Sequence, residues 1–318
     1  MAPNPEVMKL WPGCSGNDIN GLGEDGSDPM RPVFWRTDGS APHAPVMYYF
    51  FEKSAENPVL NEARKYRHRI DAIPIDEEAP TKVTHTDAEW VQKLKSAAIE
   101  CRADDVGICA WNTDWQLPDR PAPKGKWAVV LAFKHDYDNL KAAPGDQAYL
   151  EVMAQYERAA EASINLTNWI RRQGYPAFAK TGPMLEDVLM IPPAVEAGLG
   201  ELGKHGSMIH KRFGSNFRLS MVLTDLPLQA DAPEIFGADV FCQNCQVCAN
   251  ACPPDAIFRE KQLVRGRHKW YVDFDKCIPY FVDNESCGLC LAVCPWSRPG
   301  IADNLVKKMA RRLPEIAE

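Results

Sequence analysis

Long apolar runs are missing from this chain of 318 residues: none approaches the roughly twenty residues that a membrane-spanning helix needs. Basic residues are outnumbered, with 36 Lys and Arg against 43 Asp and Glu, for a net charge of −7. That balance, with a pI near 5.6, excludes the basic footprint a DNA or RNA partner requires. The opening MAPNPEVMKLWPGCSG lacks both a charged start followed by an apolar stretch and a twin-arginine pair. No export signal is read there, so a cytoplasmic chain is expected unless a leader has been removed. A phosphate cradle is missing too. Gly198-x-Gly200-x-x-Gly203 matches a dinucleotide fingerprint literally, yet it does not follow a strand that opens into a βαβ unit. It reads better as a glycine-rich loop (Gly198, Gly200, Gly206, then Ser207) allowing close backbone approach to a flat or bulky cofactor.

Cysteine is scarce over the first 241 residues, where only Cys14, Cys101 and Cys109 occur, read as structural or incidental. It is then abundant. FCQNCQVCANACPPDAI places Cys242, Cys245, Cys248 and Cys252 in the C-x2-C-x2-C-x3-C-P spacing of bacterial ferredoxins, and CIPYFVDNESCGLCLAVCPWS adds Cys277, Cys287, Cys290 and Cys294. Three thiolates two residues apart can wrap one corner of a cubane, and the fourth, before a proline, ligates the other cluster. This assigns Cys242, Cys245, Cys248 and Cys294 to one [4Fe–4S] cluster and Cys252, Cys277, Cys287 and Cys290 to a second. Structural zinc also uses C-x2-C pairs, but as two separated pairs around a longer loop. A disulfide framework is set aside, because 318 residues bury a core without staples.

The rest of the chain divides by texture. Residues 1–80 are rich in turn formers and read as an arm that packs and wraps, with APVMYYFFEK as a short strand and NPVLNEARKYRHRI as a helix. Over 81–230 strand and helix alternate, so this segment is expected to be α/β. Thr86 and Glu89 form a capping box opening a helix with Trp90, Leu94, Ala97 and Ala98 on one face. Residues 147–173 form a long amphipathic helix stopped by Gly174, and KWAVVLAFKHDY and FRLSMVLTDLPL read as buried strands. QADAPEIFGAD links to a cluster domain over 231–300, and a helix is expected over 301–318.

The blocks IPPAVEAGLGELGKHGSMI, FGSNFRLSMVLTDLPLQADAPEI, FCQNCQVCANACP and CGLCLAVCPWS, with KWAVVLAFKHDYDNLKAAPG and WIRRQGYPA, resemble the corrinoid-dependent reductive dehalogenases. The resemblance runs in order from about residue 85 to 298. Epoxyqueuosine reductases are the nearest relatives of that family. They share the AGLG segment and the two-cluster architecture, but would carry a different block in place of KHDYDNLKAAPG and an acidic residue before AGLG.

The resemblance implies a nitroreductase-like α/β (α+β) core that binds base-off cobalamin, beside a bacterial-ferredoxin-like two-[4Fe–4S] domain. The clusters would reduce cobalt to Co(I) by single electrons, and the reduced cobalt would remove halide from a small organohalide. A positioned acid would then protonate the carbon. The family's proton donor is a tyrosine on the long helix; Tyr156 fits that position, with Tyr149 on roughly the same face as the fallback. A phenol stays protonated at neutral pH yet can donate. Arg218 matches the basic residue that would stabilise the phenolate or the departing halide, and Lys180 is the nearest fit to a third polar residue. Lys204 stands where the family is expected to carry Arg. The sequence given carries no flavin or reductase module, so electrons are expected from a ferredoxin or flavodoxin type of donor. Two other functions compete: a corrinoid reductase of a non-halogenated substrate, as in epoxyqueuosine reduction, and a non-catalytic iron–sulfur electron carrier.

Overall fold

A computed structural model of the chain describes residues 3–26, 29–36, 38–118, 120–182 and 187–312. Its centre is a four-stranded sheet in the order Asp105–Ala110, Trp127–Lys134, Phe217–Thr224, Ala177–Lys180. The architecture is mixed α/β, but every pairing in this sheet is antiparallel. Alternation of helix and strand favours a parallel order without dictating it. The two longest strands, WAVVLAFK and FRLSMVLT, pair over all eight positions, from Trp127↔Thr224 to Lys134↔Phe217.

Both faces of the sheet are covered, which is why its inner strands read as continuous apolar runs. Ile108, Val129, Leu131, Phe133 and Val222 point to one face, against the helices Asp87–Glu100 and Asp146–Arg172. Cys109, Ala128, Val130, Met221 and Leu223 point to the other, under the short helix Ile191–Glu196 and the hairpin Glu201–Leu202/Met208–Ile209. Each such Leu, Val or Phe contributes roughly 1.5–3 kcal/mol by leaving water.

The helix Asp87–Glu100 starts at the Thr86 capping box and buries Trp90, Leu94, Ala97 and Ala98, the face expected for it. The long helix runs Asp146–Arg172, and Gly174 follows at φ +83°. A Cβ on Gly174 would meet the Thr81 carbonyl at 2.7 Å. The residue must therefore be glycine both for its dihedral and for the chain crossing it.

The arm differs from expectation. APVMYYFFEK is not a strand: residues Ala44–Glu56 form a helix, with Pro45 in its first turn and Val46, Met47, Phe50 and Ser54 buried. Four consecutive aromatics favour a strand locally, but burial at helical spacing against Tyr149 and Val282 decides the matter. The expected helix over 57–70 is two, Pro58–Arg64 and Tyr66–Asp71, joined at Lys65.

Upstream, the short helices Pro5–Lys9 and Gly16–Ile19 clasp the helix Phe274–Asp283. Ser15 donates to Asp275 at 2.5 Å, Asn17 to Asp273 at 2.8 Å and Asn4 to Asp283 at 3.0 Å. Lys53 adds an ion pair with Asp283 at 2.5 Å. At the other end the helix Ala302–Ala310 packs Met309 beneath Gly237; residues 313–318 of the helix expected over 301–318 lie outside the described residues. Among the described residues no helix is long and apolar enough to cross a membrane.

Candidate active site and cysteine clusters

The eight C-terminal cysteines fall into two groups in space. Cys242, Cys245, Cys248 and Cys294 lie within electrostatic reach of one another, as do Cys252, Cys277, Cys287 and Cys290. All are free thiols. Burial pushes Cys242, Cys248 and Cys277 up to about 12 and Cys290 well above the usual thiol range, with neighbouring thiols adding to it. Burial thus disfavours the thiolates that a metal centre needs, and the positive charge they ligate is what chiefly offsets it. Among the described residues no three His, Cys, Asp or Glu side chains converge as ligands of a single metal ion would. A cubane asks for something else, one thiolate at each of four separate irons. The two groups meet where Cys248, Cys252 and Cys290 pack together around Ile257.

The other half of the site lies on the face of the sheet covered by the long helix. Arg218, near the start of the central strand, sets its guanidinium 4.8 Å from the ring centroid of Tyr156. Arg218 Nε is buried with no hydrogen-bond partner, and so are Ser220 Oγ, two residues along the same strand face, and Asn216 Oδ1. Tyr66, brought by the arm, packs into the cluster that holds Tyr156, so the arm walls one side of the site. Tyr149, two turns earlier, is elsewhere: it is 2% exposed and packs on Phe50.

Lys180 is not brought to this pair. Its register partner is Met221, and alternation along the strands puts both on the sheet face opposite Arg218. Its ammonium is held by Asp187. Residues 183–186, between Lys180 and Asp187, lie outside the described residues. Asp187 and the exposed Glu196 both precede AGLG, so an acidic residue there does not separate the two enzyme types.

A buried network missed in the sequence lies beside Arg218, whose charge reaches His135. Glu151, five residues before Tyr156 on the helix, accepts from the Asp136 backbone at 2.8 Å, from Gln155 at 3.0 Å and from Asn139 at 3.2 Å. His135 Nδ1 lies 3.5 Å from the same carboxylate. Burial raises Glu151, but the hydrogen bonds from His135, Asp136 and Asn139 outweigh it and hold the group at about 2. Burial presses His135 down to about 4, so it is neutral at pH 7. The signal for this network was available: His135 and Asp136 directly follow a buried strand inside the block KHDYDN.

The glycine-rich loop is tight for reasons internal to the protein. A Cβ on Gly198 would meet the Ala232 carbonyl at 2.6 Å, on Gly200 the Ile209 carbonyl at 2.4 Å, and on Gly206 the Val272 side chain at 2.9 Å. Buried polar atoms left without a partner are instead those of Arg218, Ser220 and Asn216. Such atoms suit a ligand rich in amide groups.

Residues 241–297 match the 4Fe-4S dicluster domain family, so the class is that of a two-cluster iron–sulfur protein. The chain is 32% identical over 224 residues to a tetrachloroethene reductive dehalogenase of Desulfitobacterium hafniense, covering 65% of this chain and 39% of that protein. An epoxyqueuosine reductase of Atelocyanobacterium thalassa is 31% identical, over 67% of this chain and 66% of its own length. Among solved structures, a reductive dehalogenase described with a mechanism for B12-dependent dehalogenation superposes with a TM-score of 0.71 at 26% identity. It covers 81% of this chain and 40% of its own. The chain is thus similar to the reductive dehalogenases in sequence and fold, and in sequence also to the epoxyqueuosine reductases. It spans about two fifths of the length of the dehalogenases it matches.

Proposed function

We propose that this protein is a corrinoid-dependent oxidoreductase that removes halide from a small organohalide, replacing it by hydrogen with two electrons and one proton. The observation that carries the reading is the Arg218 guanidinium over the Tyr156 ring with a buried, partnerless Nε. When bound, the corrinoid would supply a low-valent metal able to break a carbon–halogen bond, and two [4Fe–4S] clusters the single electrons that regenerate it.

Cys242, Cys245, Cys248 and Cys294 hold one cluster, and Cys252, Cys277, Cys287 and Cys290 the other. Arg218, Ser220 and Asn216 present polar atoms to the corrinoid, whereas the loop from Gly198 through Gly200 and Gly206 to Ser207 covers the other face of the sheet and packs against its own chain. Tyr156 Oη gives the proton to the carbon that loses halide. Arg218 stabilises the phenolate left behind, a role for which a permanently charged guanidinium is suited. Lys180 stands apart from the reacting group, tied to Asp187 on the opposite sheet face. Tyr66 and the arm shape the pocket and keep water out. Electrons come from a separate ferredoxin or flavodoxin type of protein.

Tyr156→Phe tests the reading. In protein loaded with iron, sulfide and cobalamin, halide release from a panel of aryl and alkenyl halides is expected to fall by about 10²-fold or more, the usual worth of a positioned acid. Iron and corrinoid content should stay unchanged. Undiminished halide release would remove Tyr156 as the donor.

A further inference from the structure

We propose that the turn Gly203–Ser207 sets the reduction potential of one cluster, the one at Cys242, Cys245, Cys248 and Cys294, through the charge of Lys204 and a hydrogen-bond relay from His205. The inference rests on the cluster assignment above and adds a tuning device to it.

Lys204 is 0% exposed and its Nζ has no hydrogen-bond partner. Its ammonium lies 4.8 Å from the centroid of the Trp270 ring, and among the described residues no carboxylate pairs with it. An unpaired cation at this depth is costly unless a counter-charge is close. Burial works against its charge, as does Arg259, and the groups that favour the charge are Cys242, Cys248 and Cys245; its backbone N–H points to the Cys242 sulfur. A thiolate-ligated cluster is anionic in both of its oxidation states, so the missing counter-ion of Lys204 is the cluster itself.

His205 works on the fourth ligand. Its Nδ1 accepts from the Ser207 backbone at 3.2 Å, which leaves the proton on Nε2. Nε2 then donates to Ser215 Oγ at 2.7 Å. The Ser215 hydroxyl in turn donates to the Cys294 sulfur. The Ser297 hydroxyl holds Ser215 in place by accepting its backbone N–H at 3.1 Å.

Positive charge and hydrogen bonds to sulfur favour the reduced, more negative cluster and so raise its potential. Among the described residues the second group has no such cation: Cys252 accepts one backbone N–H, from Ala256 at 3.3 Å, and beyond the neighbouring thiols the side-chain charge acting on Cys277 is the Asp273 carboxylate. The two clusters therefore differ in the direction that moves electrons from the Cys252 group to the Cys242 group.

Dye-mediated redox titration followed by electron paramagnetic resonance on the iron-loaded protein tests this without any dehalogenation assay. Lys204→Met is expected to lower one of two midpoints by at least tenfold in its reduction equilibrium, about 59 mV for one electron, with the other nearly unmoved. Ser215→Ala should lower the same midpoint by less, and Lys204→Arg should restore it. Unmoved midpoints in Lys204→Met at full iron content would overturn the inference. Should that variant lose iron, an unmoved midpoint in Ser215→Ala does the same. A wild-type preparation that binds no [4Fe–4S] cluster would instead strike at the cluster assignment.

Discussion

Gly214 lies at the seam between the sheet and the cysteine domain, at φ +59°. A Cβ there would sit 2.2 Å from the Trp296 carbonyl oxygen, 2.3 Å from its carbon and 2.5 Å from the Ser297 nitrogen. All three are backbone atoms, so no side chain can swing aside. Gly214→Ala therefore carries two costs: about 1 kcal/mol for an alanine in the left-handed region, and about 1–3 kcal/mol for overpacking, taken at the upper end. The sum is about 4 kcal/mol, a fall in apparent melting temperature on the order of 10 °C.

Two other glycines separate these costs. Gly23, at φ +83°, has nothing within 4 Å of its would-be Cβ, so Gly23→Ala isolates the dihedral cost. Gly13 has neither constraint, and Gly13→Ala should be neutral. Melting scans of the three iron-loaded variants at one fixed rate, since unfolding of such proteins is commonly irreversible, should rank them Gly13, Gly23, Gly214 in rising damage. Iron should also be lost from Gly214→Ala, because Trp296 and Ser297 lie only two and three residues after Cys294. A Gly214→Ala melt indistinguishable from that of Gly13→Ala would refute the reasoning.

Other outcomes follow from the same geometry. His135 titrates near 6.5 when unfolded and at about 4 when folded, so it lowers stability progressively as pH falls from 6.5 to 4, by at most roughly 3 kcal/mol. Denaturation between those pH values should show a shallower pH slope in His135→Asn, and an unchanged slope would exclude His135 as a source. Glu151→Ala strands the Asp136 N–H and two side-chain donors, Asn139 and Gln155, so a loss of roughly 1–3 kcal/mol is expected, together with slower halide release at normal iron content. Thr86→Ala, which breaks a capping box with Glu89 N donating to Thr86 Oγ1 at 3.3 Å, should cost about 1 kcal/mol and leave cluster spectra untouched.

Local chemistry with a strict stereochemical demand was legible in the sequence. The Thr86–Glu89 box, the stop at Gly174 and the two eight-residue apolar strands stand where their residues place them. Sheet direction was not, because apolar runs mark burial on both faces whether the neighbours run parallel or antiparallel. The helix Ala44–Glu56 was misread because Tyr48, Tyr49, Phe50 and Phe51 carry strand preference, and only the distant helix Phe274–Asp283 says which of them is inside. Lys180 shows another limit: one position along a strand decides the face, and proximity in sequence to a functional block does not. Glu151 was invisible for a related reason: apart from Gln155 on its own helix, its partners lie twelve to sixteen residues away, at and just before the short helix Tyr137–Leu140.

The clasp of the arm on the helix Phe274–Asp283 bears on the order of events as the protein matures. Ser15 and Asp275 are 260 positions apart. Closing so long a loop costs little more free energy than closing a shorter one, since the cost grows only with the logarithm of length. It is nevertheless slow, because contacts so distant in sequence form late. Cys277 rides on the clasped helix, whereas Cys287 and Cys290 lie beyond its end. Cys277 is thus the thiol of its group whose placement waits longest on the arm, and a cluster assembled before the clasp closes would have to form without it.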